Sequence, residues 1–276
     1  MSDETLPAFR DYLARDEGPA LLEGALLIAE AFQPHVDRAA CHAALDELAR
    51  ELAPGLPPGD AGDAAGTARA LAAYLHDVAG FSGNAVDYYD ARNSFIDQVL
   101  RRRTGIPISL ALVYMEAGRR CGLPLHGVGF PGHFLVRLEA HPPVLVDPFA
   151  GAVLDEEGLQ VLLRQALGAA ARLEPGHLQP AAPREMLFRM LTNLKHIYLR
   201  QSDLPHALAC SHRLLALAPG AVPEYRDRGL IQRELGLAAE ALADLQHYLA
   251  HAPRDVHVET LERTVRELEG QLRRFN

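Results

Sequence analysis

The stretch that decides the fold reads NSFIDQVLRRRTGIPISLALVYMEAGRRCGLPLHGVGFPGHFLVRL over residues 93–138, with VLVDPFAG following at 144–151. It opens in a helical pattern, with Phe95, Ile96, Val99 and Leu100 at helical spacing. A second helix begins near Pro107, which suits a first helical turn because the N–H it lacks would be unpaired there anyway. From Ile108 to Ala117 this helix is apolar on nearly every side, the character of a helix wrapped by other elements. Gly122 supplies its stop. Short β-prone runs then follow at Leu125–Phe130, Phe134–Leu138 and Val144–Val146, separated by Gly and Pro. The order predicts an antiparallel sheet of at least three strands packed on a buried helix.

On the N-terminal side, residues 1–52 read as helical. Leu21, Leu22, Ala25, Ile28, Ala29 and Phe32 recur at helical spacing, as do Ala44, Leu45, Leu48 and Leu52. Pro54-Gly55-Leu56-Pro57-Pro58-Gly59 is a break. A helix with Ala68, Leu71, Ala72 and Leu75 follows, then a loop at Gly80-Phe81-Ser82-Gly83-Asn84. On the C-terminal side, Asp155–Leu167 returns to helix, and Gly168–Pro183, rich in Ala, Pro and Gly, reads as a linker.

Beyond that linker the chain repeats. Ala207 and Ala241, Pro219 and Pro253, Leu191 and Tyr225, and Leu208 and Leu242 are all separated by one common offset. Each unit reads as two helices split at Gln201-Ser202-Asp203 and at Leu235-Gly236-Leu237. A period of about 34 residues, with small alanines at the helix contact and a closing proline, is the tetratricopeptide signature. Lys195, where a small residue is usual, and Ser211, where a large one is usual, depart from it. Val258, Leu261, Val265, Leu268 and Leu272 mark a final helix that caps the last repeat. The predicted class is α+β. A helix-rich domain with a small sheet covers residues 1–167, a linker 168–183, and an all-α repeat domain 184–276.

Composition removes several function classes. The most apolar stretch, Ile108–Met115, is far short of the ~18 residues needed to span a bilayer. The acidic start MSDETLPAFRDYLARDEG lacks a signal-peptide core, so we expect a cytoplasmic protein without membrane contact. A net charge of −9 makes a nucleic-acid partner a poor fit, and Arg101-Arg102-Arg103 reads as a solvated helix face. Cys41, Cys121 and Cys210 form no CxxC pair, which argues against a disulfide framework or a cysteine zinc site. His247 and His251 share a helix face without an obvious third ligand, so no metal and no cofactor are expected.

A buried helix starting at Pro107, then His133, then Asp147, has a chemical logic. In cysteine acyl-transfer enzymes the nucleophile sits at a helix N-terminus, where the helix dipole and a nearby histidine favour the thiolate. The histidine takes the proton and a carboxylate orients the imidazole. The spacing between His133 and Asp147 suits partners on adjacent antiparallel strands. Structural readings stand beside these. His133 also reads as a histidine bonded to a carbonyl or to Asp147, and Asp147 as a cap on the turn made with Pro148. Asn93 reads as a cap on the following helix or as a residue lining the cleft.

The segment from Asn93 to Gly151 resembles the transglutaminase-like domain of a bacterial family whose members join that domain to tetratricopeptide repeats, some of them labelled invasion-gene regulators. Phe130-Pro131-Gly132-His133-Phe134 and Val146-Asp147-Pro148-Phe149 carry the resemblance most specifically. It implies a papain/transglutaminase-like fold, with His133 and Asp147 as members of a Cys-His-Asp triad. In the wider superfamily the helix opens with Gly-x-Cys. Counted back from Gly122-Leu123-Pro124, that opening falls on Gly105-Ile106-Pro107, so proline stands where the nucleophile belongs. Cys121 lies about 21 Å along the same helix at 1.5 Å per residue, and Ser109 is turned about 200° from position 107. Thr104 and Ser94 are not removed by geometry, and neither bears a mark of activation. The expectation is a non-catalytic protein that binds a protein or peptide partner through this cleft or the repeat surface. The alternative is a hydrolase or acyltransferase with His133 as general base and Asp147 orienting it. The repeats suit either partner binding or packing within the chain.

Overall fold

The computed structural model describes residues 4–15, 20–57, 63–251 and 258–275. The chain forms two units. One spans Pro19–Met190, and the other joins a short N-terminal helix, α1 (Leu6–Leu13), to the chain from Leu191 onward.

The first unit begins with α2 (Leu21–Phe32), α3 (Arg38–Leu52) and α4 (Ala64–Ala73), the last continuing as a wider π turn over Tyr74–Val78. Asp37 caps α3 by accepting from the Ala40 N–H, and Asp63 caps α4 by accepting from Gly66. Caps of this kind contribute about 1 kcal/mol each. Then come β1 (Ser82–Gly83), α5 (Ile96–Arg102), β2 (Thr104–Gly105), which pairs in parallel with β1, and α6 (Pro107–Arg120). Pro107 through Met115 of α6 is buried without interruption, as are Ala117 and Gly118. Helices α3 and α5 pack on α6, and so does the sheet that follows. Burying each large aliphatic side chain contributes about 1.5–3 kcal/mol, so α6 is the axis of the unit.

That sheet is an antiparallel meander of β3 (Leu125–Val128), β4 (Leu135–Leu138), β5 (Val144–Asp147) and β6 (Ala152–Leu154). Val146 stands opposite Val136 on one side and Val153 on the other. Val128, Leu135 and Leu145 pack with Phe130 against Leu159 and Leu163 of α7 (Glu156–Leu167). The α+β class and the central buried helix are as the sequence predicts. Strand β6 is an addition: it is too short for alternation to register.

Residues 168–183 do not form a free linker. The Ala181 N–H donates to the Gly127 carbonyl at 2.8 Å, Pro180 bridges to Val128, and Arg137 donates to the Leu178 carbonyl at 2.9 Å. The segment is strapped along β3, an edge where proline is tolerated because no N–H is needed from it. The first unit therefore runs past the expected boundary at 167 and into α8 (Pro183–Arg200). The expected 1–167 domain also differs at its start. Phe9 and Tyr12 are buried and α1 packs on α9 (Leu204–Leu217), which places α1 with the second unit.

The second unit continues with α10 (Val222–Glu234), α11 (Ala238–His251) and α12 (Val258–Phe275). Its repeat period is visible in the backbone. α8 and α10 end at Arg200 and Glu234, and α9 and α11 begin at Leu204 and Ala238, so both boundaries recur at the same offset. Ser202 and Gly236, separated by that offset too, both turn the chain with positive φ, 58° and 76°. Ala207 and Ala241 are fully buried at the helix contacts. Leu261, Val265 and Leu268 of α12 pack on Ala241, Leu245 and Tyr248, as a cap does. Pro58, Gly59 and Pro253 of the sequence reading lie outside the described residues.

One local reading changes. Arg101-Arg102-Arg103 is not simply a solvated face, because Arg102 pairs with Asp90 at 3.1 Å and Arg103 lies over the Phe81 ring. His247 lies tilted against the Tyr225 ring at 3.9 Å between centroids, and His251 stacks on His247 at 4.3 Å. His251 Nδ1 is turned to the His247 carbonyl. No helix among the described residues is long and apolar enough to cross a membrane.

Candidate functional site

His133 lies in the turn that leads into β4, just ahead of the strand. Its backbone N–H donates to the Phe130 carbonyl at 3.0 Å, and the turn passes through Gly132 at φ +67°. A Cβ on Gly132 would meet the Ala166 Cβ at 2.8 Å, so both the backbone and the space require glycine. Asp147 ends β5. Continuing the Val136–Val146 register places His133 diagonally across from Asp147, a separation that long side chains bridge.

They do meet. His133 Nε2 and Asp147 Oδ1 are 2.8 Å apart, with side chains 15% and 6% exposed. The same Oδ1 accepts from the Phe149 N–H at 2.8 Å and the Ala150 N–H at 3.3 Å. Asp147 therefore both orients the histidine and caps its own turn. Because a carboxylate only accepts, the bond fixes the proton of neutral His133 on Nε2 and leaves Nδ1 as the basic nitrogen.

Aromatic residues flank the pair. The Phe149 ring is 6.0 Å from the His133 ring and nearly perpendicular to it. It lies flat over Gly83, where a Cβ would come within 2.4 Å of the ring, so only glycine fits beneath it. Tyr88 approaches Phe149 at 6.4 Å and Tyr89 at 5.5 Å, and both tyrosines are exposed. Asn93, fully buried, fixes the loop that carries them. Its Nδ2 donates to the carbonyls of Asp87 at 2.7 Å and Tyr88 at 3.3 Å, while its Oδ1 accepts from Asn84 at 3.1 Å. Asn93 does not cap α5, whose N-cap residue is Phe95 without a side-chain bond.

Pro107 is the first residue of α6 and is buried. Ser109 is fully buried and tied to the backbone: its hydroxyl reaches the carbonyls of Asn93 at 2.6 Å and Ile106 at 3.1 Å, and accepts from the Ile106 N–H. Cys121 sits at the far end of α6, its thiol directed at the Ala49 carbonyl at 3.3 Å and pushed up by burial. Thr104 donates to the Arg102 carbonyl at 3.2 Å. Ser94 Oγ is buried without a hydrogen-bond partner among the described residues.

Three residues near the pair escaped the sequence reading. Tyr114, inside α6, has a buried hydroxyl with no hydrogen-bond partner among the described residues, and burial together with the Asp147 charge raises its phenol. Arg189 donates to the His133 carbonyl at 2.5 Å and to the Phe130 carbonyl at 3.3 Å. Tyr88 is the third. A tyrosine in an apolar helical run was the one local signal; Arg189 and Tyr88 reach the pair only through tertiary contacts.

A buried helix, an antiparallel meander and a His–Asp pair at the strand ends define a transglutaminase-like domain, here followed by tetratricopeptide helices. A family model described as the transglutaminase-like superfamily matches residues 39–192, and a tetratricopeptide repeat model matches residues 194–266. The chain belongs to the transglutaminase-like superfamily. It is similar to a UPF0162 protein of Xylella fastidiosa, 44% identical over 191 residues covering 67% of this chain and 68% of that protein. It is also similar to a UPF0162 protein of Vibrio cholerae, 35% identical over 250 residues, 90% of this chain and 92% of that one. Protein SirB1 of Salmonella typhimurium is 32% identical over 187 residues, 67% of this chain and 70% of that protein.

Proposed function

We propose that this chain is a non-catalytic transglutaminase-like protein that binds a protein or peptide partner in a regulatory role in the cytoplasm. The observation that carries the reading is Pro107 as the first residue of buried α6. On the superfamily resemblance, that is where a thiolate would stand, and a pyrrolidine ring offers no nucleophile. The ordered His133–Asp147 pair and the exposed Tyr88 and Tyr89 support a recognition cleft, since aromatic side chains concentrate binding energy at interfaces. Asn93 serves that cleft by holding the tyrosine loop. Stacked tetratricopeptide helices commonly offer a second protein-binding surface.

The test pans a displayed random-peptide library on the full-length chain and on His133→Ala and Tyr88→Ala/Tyr89→Ala. Peptides whose binding falls at least tenfold in the variants are the expected result. A stoichiometric adduct with an acyl-donor or thiol-directed probe at a cleft residue would overturn the reading.

The His133–Asp147 bond favours one second reading, a hydrolase or acyltransferase in which Nδ1 activates a water or a noncovalently bound acceptor and Asp147 holds the imidazole. It expects a turnover that His133→Ala abolishes, and no covalent enzyme intermediate.

A further inference from the structure

We propose that Arg189 is a carboxylate-binding residue at the edge of the His133 cleft, so that the peptide recognised there presents a carboxylate to it. The inference rests on the partner-binding reading and specifies its chemistry. Four other partly buried arginines of the same unit have carboxylate partners: Arg38 pairs with Glu23 and Glu30, Arg102 with Asp90, Arg120 with Asp46 and Glu116, and Arg137 with Glu139. Arg103, over the Phe81 ring, and Arg189 have none among the described residues, and of these two Arg189 is the one bonded to the His133 backbone. Among the described residues its hydrogen bonds go to two backbone carbonyls, those of Phe130 and His133, and its cation lies over the Phe134 ring at 5.3 Å.

A guanidinium has five N–H donors in a planar fork. Three contacts to two carbonyls hold it in place without neutralising it. A partly buried charge left uncompensated is costly. Burial also pulls Arg189 below its ordinary value, the direction expected where no carboxylate offsets desolvation. The cation is anchored to the backbone of the cleft's histidine through the His133 carbonyl. In a chain of net charge −9, a guanidinium without a carboxylate partner among the described residues selects an anion locally. The planar fork matches a carboxylate in two-point contact.

The experiment takes peptides selected on the wild-type full-length chain and titrates each in three forms: unmodified, C-terminally amidated, and with internal Asp and Glu replaced by Asn and Gln. The expected result is that one neutralised form binds wild type on the order of 10- to 100-fold more weakly, the range for a charge-assisted hydrogen bond. Which form weakens tells a terminal carboxylate from an acidic side chain. The difference should shrink to within about twofold in Arg189→Gln, whose folding is checked by its thermal transition. If that variant does not fold, the wild-type comparison decides, and a weakened form whose difference also falls as salt is raised supports the assignment. Equal binding of all three forms to wild type overturns the proposal while leaving the partner-binding reading standing; Arg189 is then only a staple of the His133 turn. If no peptide binds wild type better than His133→Ala, both fall together.

Discussion

Asp147 Oδ1 holds three groups at once: the His133 imidazole, the Phe149 N–H and the Ala150 N–H. Removing it strands two backbone donors and the imidazole, whereas removing His133 leaves the turn capped. Asp147→Ala should therefore lower unfolding stability by about 2–4 kcal/mol and His133→Ala by about 1 kcal/mol, since unmade buried hydrogen bonds cost about 1–3 kcal/mol each. Denaturant midpoints at constant slope measure both, and equal losses would show that Asp147 does not anchor the turn. The cysteines give a second expectation. Burial first, with the charges of Asp97 and Asp37, pushes the Cys41 thiol up to about 11. At pH 8 the thiolate fraction is then on the order of one in a thousand, and the thiolate is the reactive form. Labelling of Cys41 should be slow at neutral pH and rise about tenfold per pH unit up to pH 10; fast labelling at pH 7 would contradict this burial. At this scale the nearness of His133 and Asp147 was legible only as a compatible spacing on adjacent antiparallel strands; the register that makes them diagonal neighbours belongs to the folded sheet. Arg189 was not legible, because nothing local ties a residue so distant in the chain to the His133 carbonyl.

The helices and the repeat period were legible because each repeats a spacing: apolar residues recur within helices, and whole helix pairs recur at one fixed offset. The strapped segment 168–183 and strand β6 were not, since neither has enough residues in register to make a pattern, and their backbone bonds come from a sheet edge formed elsewhere. The period also yields a paired expectation. Ser202 and Gly236 occupy the same turn position, both with positive φ. A non-glycine residue there is strained by about 1 kcal/mol, partly offset by the extra freedom that glycine has when unfolded. Ser202→Gly should stabilise the repeat unit by up to about 1 kcal/mol, and Gly236→Ser should destabilise it by a similar amount. Thermal unfolding of the two variants, run side by side, checks the sign. A loss in both would mean that the Ser202 hydroxyl makes contacts that outweigh its backbone strain.

At the scale of the molecule, the repeat unit carries a buried ion cluster that the tetratricopeptide pattern would not contain. Lys195 is 1% exposed and bonds Glu224 Oε2 at 2.6 Å and Asp227 Oδ2 at 2.9 Å. One repeat further along stands Gly229, where a Cβ would meet Leu245 at 2.9 Å; the residue facing Lys195 by the same offset is Ser211. The two repeats thus exchange a small–large pair for a large–small one, and the long side chain reaches forward to α10. That is why Lys195 and Ser211 depart from the pattern together. Burial alone would raise Asp227, but its bonds to Lys195 and Arg226 outweigh that and lower it from 3.8. A depressed carboxylate adds stability that is present above its unfolded value and lost as pH falls through the folded one. The repeat unit should therefore lose stability as pH drops below about 4. Lys195→Met should cost about 3–5 kcal/mol at pH 7, because Glu224 is left buried without its cation, and its acid loss should be shallower than the wild type's. Urea titrations of both chains between pH 3 and pH 7 separate the cases. Parallel curves would mean that the acid sensitivity arises elsewhere and that Lys195 contributes packing alone.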